Sequence, residues 1–301
     1  MTTIDAGKAL RYAAFSSDPT GGNPAGLVLD ATGMSDAAML AVAAELGYSE
    51  TAFLTPGDDP AGSRRAFAVR YFSPQAEVPF CGHATIAAAV ALGERTGPGE
   101  LIFATRAGIV PVDVVATPDG SLRATLTSVE PNLTEVPPAD VAEALALLRW
   151  NAADLDPTLP PRYAYAGAHH LVLAAATRAR LADLDYDFDG LADFMRTRDL
   201  TTVQLVWRES PDTFHVRDPF PVGGVVEDPA TGAAAAAFGH YLRTLGQVPP
   251  RATLTLRQGD DLGRPGTLTV ELRDGDPRVR VSGVAVAIPE PDPAAGPGSA
   301  R

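Results

Sequence analysis

A chain of 301 residues, 46% hydrophobic and 20% charged, has the composition of an ordinary globular protein and room for two domains or one large one. Its formal charge of −13, with no Lys or Arg block to offset it, excludes a nucleic-acid backbone as the natural partner. The single cysteine, Cys81, excludes a disulfide framework, a multi-cysteine zinc or iron–sulfur site, and a pair of opposed cysteine bases.

In chain order, residues 1–8 lack a basic region followed by an apolar core, and no later segment is long enough to span a bilayer, so a cytoplasmic protein without membrane partners is expected. A strand is predicted over 8–15, a turn over 16–24 and a second strand over 25–29. Asn23, between Gly22 and Pro24, reads either as a turn residue that tolerates left-handed backbone or as a ligand contact. Residues 35–46 carry apolar side chains at helical spacing, with Ser35 as N-cap and Gly47 as stop. Glu50 follows, just before a short strand over 52–54; a carboxylate there can point into a cleft or stand in water at a strand edge.

A hairpin tip over 57–64 leads to an alternating strand over 65–72. After the segment 77–90, β pattern runs over 101–115 and 121–129, with the turn between them at 118–120. The Pro-rich, polar stretch 130–138 marks a junction, so two halves are expected, 1–130 and 131–288, with the last strands able to return to the first, and a disordered tail over 289–301. The second half reads as a helix over 141–148, β pattern over 163–174, a helix over 183–198, and strands over 202–207, 213–217, 253–257, 267–272 and 278–288. His169 and His170 are neighbours on a strand and point to opposite faces, which argues against a shared metal ion.

Two stretches repeat. Glu77-Val78-Pro79-Phe80-Cys81-Gly82-His83 and Glu227-Asp228-Pro229-Ala230-Thr231-Gly232-Ala233 align so that Glu, Pro and Gly coincide, Cys81 falls on Thr231, and His83 falls on Ala233. Each runs into an Ala-rich segment, which describes a tight entry into a helix whose first N–H groups lack intrahelical partners. Such ends attract anions. Two of them face to face could hold a carboxylate, with side chains of both halves around the carbon to be changed.

Five motifs occur in one order: Gly-Asn-Pro-Ala-Gly (22–26), Tyr-Ser-Glu-Thr-Ala-Phe (48–53), Cys-Gly-His-Ala-Thr (81–85), Glu-Asp-Pro-Ala-Thr-Gly (227–232) and Gly-Arg-Pro-Gly (263–266). Together they resemble the phenazine-biosynthesis isomerase (PhzF-like) family, over nearly the whole chain to about residue 288. The resemblance implies an α+β fold of two pseudo-symmetric diaminopimelate epimerase-like domains, each a curved mixed sheet around a central helix, with the active site between them. It also implies a homodimer that works without metal or organic cofactor, possible service in secondary metabolism, and a small carboxylate-bearing substrate. On the matching positions, Glu50 shuttles a proton and His83 and Asp228 complete the catalytic set. The substrate would be bound by Asn23 and by the helix tips at Gly82, Ala84, Thr231, Gly232 and Ala233.

A glutamate can take a proton from one carbon and return it to another if its pKa is raised toward neutrality. Thr231 stands where related epimerases place a second cysteine, and a threonine supplies no thiolate, which disfavours two-base inversion through Cys81. Cys81 and His83, two apart at a helix start, are not expected to face each other. Ala233 replaces a serine common in the family and removes a hydroxyl. A non-catalytic acid-binding protein and an epimerase or racemase are the competing readings.

Overall fold

The computed structural model describes residues 9–57 and 65–290. Residues 1–8, most of the expected hairpin tip (58–64) and the tail beyond 290 lie outside the described residues. The elements are β1 (Leu10–Ala14), β2 (Asn23–Val28), α1 (Asp36–Leu46), β3 (Thr51–Pro56), β4 (Ala66–Phe72), β5 (Glu77–Val78), α2 (Gly82–Thr96), β6 (Gly99–Thr105), β7 (Gly108–Ala116), β8 (Leu122–Thr127), β9 (Asn132–Glu135), α3 (Pro138–Leu147), β10 (Arg162–Tyr165), β11 (His169–Ala174), α4 (Arg178–Ala182), α5 (Phe188–Thr197), β12 (Thr202–Arg208), β13 (Thr213–Phe220), β14 (Val225–Asp228), α6 (Gly232–Thr244), β15 (Ala252–Gln258), β16 (Gly266–Leu272) and β17 (Val279–Ala287).

The same series of strand pairings occurs twice. β1–β2 is antiparallel, β2–β3 parallel, β3–β4 and β4–β5 antiparallel, β4–β6 parallel, and β6, β7 and β8 form a meander. β10–β11, β11–β12, β12–β13, β13–β14, β13–β15 and the meander β15, β16, β17 repeat each relation in turn. The two series are joined where β17 pairs with β8 and then with β1, and where β9 pairs with β10. The result is one continuous hydrogen-bonded sheet.

Each series curls around one Ala-rich helix. His83 to Gly93 of α2 are all buried, and so are Ala234 to Gly239, Tyr241 and Leu242 of α6. A helix apolar on every side is stable only when enclosed, and methyl side chains let strands approach from all directions. A single apolar cluster spans both helices and the sheet faces turned toward them. A second cluster packs α3 and α5 on the outside of β11 and β12, and a third packs α1 over β2 and β3. Among the described residues no helix is long and apolar enough to cross a membrane.

Local signals account for much of this. Ser35 caps α1 by accepting from the Ala38 amide, and Gly47 ends the helix in left-handed conformation, φ 69°. Four expectations are refined in detail. The β pattern over 101–115 is two strands that turn at Arg106 and Ala107, and the pattern over 163–174 is two strands that turn at 166–168. Each turn is marked only by a glycine at positive φ, Gly108 (123°) beside the first and Gly167 (113°) within the second. The helix expected over 183–198 begins at Phe188, because Asp187 caps it and α4 precedes it as a separate turn. Asn23 opens β2 rather than sitting in the turn, and Gly22 takes the left-handed conformation instead, φ 54°.

Candidate active site

The candidate site is built from four chain segments that meet at the N-termini of α2 and α6. Gly22 is required by both backbone and space: a Cβ there would lie 2.1 Å from the Ala14 carbonyl oxygen. The turn is held from the far end of the chain. Arg264 donates from Nε to the Gly22 carbonyl (3.0 Å) and from Nη2 to the Gly21 carbonyl (2.8 Å), while the Gly22 amide donates to the Pro265 carbonyl. The Gly-Arg-Pro-Gly motif therefore sets the direction in which Asn23 enters β2. Asn23 is 1% exposed, and its Nδ2 lies 2.8 Å from Asp228 Oδ1, 3.0 Å from the Ala230 carbonyl and 3.1 Å from His83 Nδ1.

Glu50 lies in the link between α1 and β3, where its carbonyl accepts from the Gly26 amide. Its Oε2 is 3.5 Å from His83 Nε2 and 3.6 Å from Cys81 Sγ. Burial raises the Glu50 pKa, with hydrogen bonds from Ser49 and Cys81 acting in the opposite sense. Burial also lowers the His83 pKa against the pull of the Asp228 charge, which favours a neutral imidazole. Ser49 Oγ stands 3.4 Å from His83 Nε2.

Asp228 closes the other side. Its Oδ2 accepts from Thr231 Oγ1 at 2.6 Å. Burial pushes its pKa up to about 6, partly offset by His83 and by the Thr231 and Asn23 hydrogen bonds. Gln258 fixes this corner: Nε2 donates to the Asp228 carbonyl (2.9 Å) and to Thr231 Oγ1 (3.0 Å), and Oε1 accepts from the Thr231 amide (2.9 Å).

The two helix tips touch, since a Cβ placed on Gly82 would be 3.9 Å from Gly232 Cα and 4.0 Å from the Ala233 nitrogen. Glu50, His83, Asp228, Asn23, Gly82, Gly232 and Ala233 thus gather in one place. One of the expected binding groups is otherwise engaged, the Thr231 amide being taken by Gln258, while the Ala84 methyl is buried in the core and Cys81 makes no side-chain cap bond to the first turn of α2. The tip amides without intrahelical partners include those of Gly82, His83, Gly232 and Ala233. Sequence reasoning gave Ser49, Gln258 and Arg264 no role of their own. Arg264 lies in a recognised motif, but nothing local singles out Gln258.

Cys81 departs from expectation. As the N-cap of α2 it is extended (φ −145°, ψ 116°), so its side chain turns back over the first helical turn, with Sγ 3.4 Å from His83 Nδ1 and 3.7 Å from Nε2. Burial first, then the Glu50 charge, pushes the thiol pKa well up, so it remains a thiol and a poor nucleophile. Glu50, Cys81 and His83 bring three donor atoms within 4.8 Å of one another. They do not fit a metal ion, because a sulfur almost equidistant from both ring nitrogens lies along neither lone pair. His169 and His170 stand apart as expected, the first exposed beside Asp199 and the second buried against Thr202.

The raised Asp228 value carries a prediction for stability. Its folded pKa of about 6 exceeds the ordinary carboxylate value near 4, so the folded state binds that proton more tightly than the unfolded chain. Its contribution is therefore full below about pH 4 and is lost as pH rises through about 6, at about 1.4 kcal/mol per pKa unit. Asp228→Asn removes this dependence: unfolding free energies of the two proteins should diverge by on the order of 2–3 kcal/mol between about pH 4 and about pH 7, to the variant's relative advantage at the higher pH. Parallel stability curves would show that Asp228 titrates normally.

Comparison with known proteins places the chain among relatives. The family model for phenazine biosynthesis-like proteins, PhzC-PhzF, matches residues 12–290. An uncharacterised isomerase of Mesorhizobium japonicum is 33% identical over 281 residues, covering 87% of this chain and 89% of its own. The trans-2,3-dihydro-3-hydroxyanthranilate isomerase of Pseudomonas aeruginosa is 31% identical over 283 residues, covering 92% and 95%. The crystal structure of a Bacillus anthracis phenazine biosynthesis protein of the PhzF family superposes with a TM-score of 0.83 at 24% identity, over 93% of this chain and 96% of that one, and so shares the fold.

Proposed function

The chain belongs to the phenazine biosynthesis-like (PhzC-PhzF) family and is an isomerase, and from that premise we propose that it moves a proton between two carbons of a small unsaturated carboxylic acid, with Glu50 as the carrier. One observation supports this above the others. The Glu50 carboxyl, its pKa raised by burial, stands 3.5 Å from His83 Nε2 where the two helix tips meet.

The substrate carboxylate binds at the tip amides of Gly82, His83, Gly232 and Ala233, where the partial positive charge of two helices converges. That places the carbon next to the carboxylate beside Glu50. Glu50 removes a proton from one carbon, and the negative charge that develops spreads into the unsaturated acid toward the same amides. The neutral carboxyl then returns the proton to a second carbon, so nothing is consumed and no charge is left behind. His83 hydrogen-bonds the substrate from its Nε2 side, while Asn23, itself held by Asp228, contacts the other ring nitrogen. Ala233 offers an amide but no hydroxyl, so a hydroxyl contact at that tip is absent from this substrate's binding. The same reading includes a homodimer and a place in secondary metabolism.

The test is incubation in deuterium oxide with trans-2,3-dihydro-3-hydroxyanthranilate and with simpler unsaturated cyclic carboxylates, followed by proton NMR. Isomerisation with deuterium entering the product at one carbon is the expected outcome. Binding of these acids without conversion of any would favour a protein that holds acids without acting on them, and scrambling at a single stereocentre would favour an epimerase.

A further inference from the structure

Behind Asp228 lies a second carboxyl that the proton path does not use. Asp218 on β13 is the antiparallel partner of Asp228 on β14 and is fully buried. Directly opposed residues of such a pair project to the same face with Cβ atoms about 5 Å apart. Asp218 Oδ1 accepts from Thr202 Oγ1 at 2.7 Å, and Thr202 Oγ1 is 2.8 Å from His170 Nδ1. Among the described residues, Asp218 Oδ2, His170 Nε2 and both amide atoms of Gln204 are buried without a hydrogen-bond partner. Val172, Val206 and Val216, at alternate positions of the same three strands, belong to the core around α2 and α6, so these polar side chains point inward as well.

The place has a counterpart in the first half. Arg70 pairs across the sheet with Phe53, and Arg217 pairs with Leu205. Three residues before Phe53 is Glu50, and three before Leu205 is Thr202. The polar cluster therefore occupies, in the second half, the strand entry that Glu50 holds in the first.

We propose that Asp218 is a positioning residue that keeps its proton when Asp228 ionises across the β13–β14 pair, holding this pair to one negative charge. Two facing carboxyls in a protein interior cannot both ionise cheaply. Asp228 has the better claim to the charge: it accepts from Asn23 and Thr231 and faces His83. Asp218 accepts one hydroxyl. Burial first, and also the Asp228 charge, hold the Asp218 carboxyl well above the usual carboxylate range. The groups that face it are Asp228 and Glu227 from β14, the latter paired with Arg217, His170 from β11, Thr202 and Gln204 from β12, and Thr231 at the start of α6. As pH rises the pair gives one proton to water, from Asp228, and keeps the other on Asp218. Asp228 is then a single fixed anion that holds Asn23, which in turn contacts His83 Nδ1, leaving Nε2 toward Glu50.

This inference rests on the reading of Asp228 as part of the cleft, but its test needs no turnover, so a failed isomerase assay leaves it standing. The full chain, labelled at the aspartate carboxyl carbon with carbon-13, is followed by NMR from about pH 4 to about pH 9, a range that spans ordinary and raised carboxyl values. In the parent, Asp218 should titrate after Asp228. In Asp228→Asn its midpoint should fall by about one unit or more, a tenfold loss of proton affinity, because the like charge is gone. In Asp218→Asn the later step should vanish while the Asp228 step stays near its midpoint of about 6. Thr202→Val should move the Asp218 step upward by removing its hydrogen-bond donor, and it carries the test if Asp228→Asn does not fold. An Asp218 midpoint in the ordinary carboxylate range, or one indifferent to these changes, would overturn the proposal.

Discussion

Glu50→Gln is expected to lower kcat by about a thousandfold, within the range of about a hundred- to ten-thousandfold that positioned acid–base catalysis supplies, and to leave binding of substrate-like carboxylates within a few-fold of the parent. The amide matches the carboxyl in shape and can still accept from Cys81, so the cleft should keep its form. It cannot take a proton from carbon. The tip amides proposed to bind the acid come from residues 82–83 and 232–233 and are untouched by the change. Steady-state kinetics beside calorimetric titration of a carboxylate ligand separate the two effects. Turnover within tenfold of the parent would remove Glu50 from the mechanism, and joint loss of binding and turnover would make it a structural residue.

The second large effect concerns a pair of ion pairs. Arg70–Glu77 and Arg217–Glu227 are equivalent in the repeated series, each bidentate from β4 to β5 or from β13 to β14. Their surroundings differ. The Arg70 and Glu77 side chains are 33% and 13% exposed, whereas Arg217 and Glu227 are 9% and 1% exposed. Removing one partner of a buried pair leaves an uncompensated charge in the interior, which costs about 3–5 kcal/mol. Glu227→Ala should therefore destabilise the protein by that amount. Glu77→Ala should cost about 1 kcal/mol or less, since Arg70 keeps Asp36 and reaches water. Urea denaturation of the two variants measures the difference. Equal losses would mean that burial does not govern these pairs.

Glu227 also adjoins Asp228, so the ion pair anchors the strand that delivers a site residue. The first half uses the same anchor on β5, four residues before Cys81. The two halves share the framework and differ in what it presents: Cys81 and His83 in one, Thr231 and Ala233 in the other. Charge at the cleft is correspondingly uneven, with Glu50 and His83 from one side and Asp228 from the other.

How much of this is legible before folding depends on the range of the interaction. Ser35, Gly47 and the Ala-rich runs after Gly82 and Gly232 act on their own few neighbours, so the helices and their ends follow from local sequence. The motif at 22–26 marked Asn23, but whether it turns the chain or lines the cleft is settled by Arg264, which grips Gly21 and Gly22 from more than 240 residues away. The breaks at 106–107 and 166–168 are marked only by Gly108 and Gly167, both at positive φ, and a lone glycine in a β run reads equally well as a bulge.

The residues by themselves determined that two helix tips of one design exist, that one carries a histidine and the other follows an aspartate, and that a glutamate ends the link after α1, because each is written in a handful of adjacent positions. Only the tertiary structure decided that these groups converge within hydrogen-bonding distance, that Cys81 turns toward His83, that Gln258 locks Asp228 to Thr231, and that Asp218 lies behind them. Burial and proximity across the fold also move the Glu50 and Asp228 protons from their ordinary values, and those quantities come into being when strands far apart in the chain close around the helices.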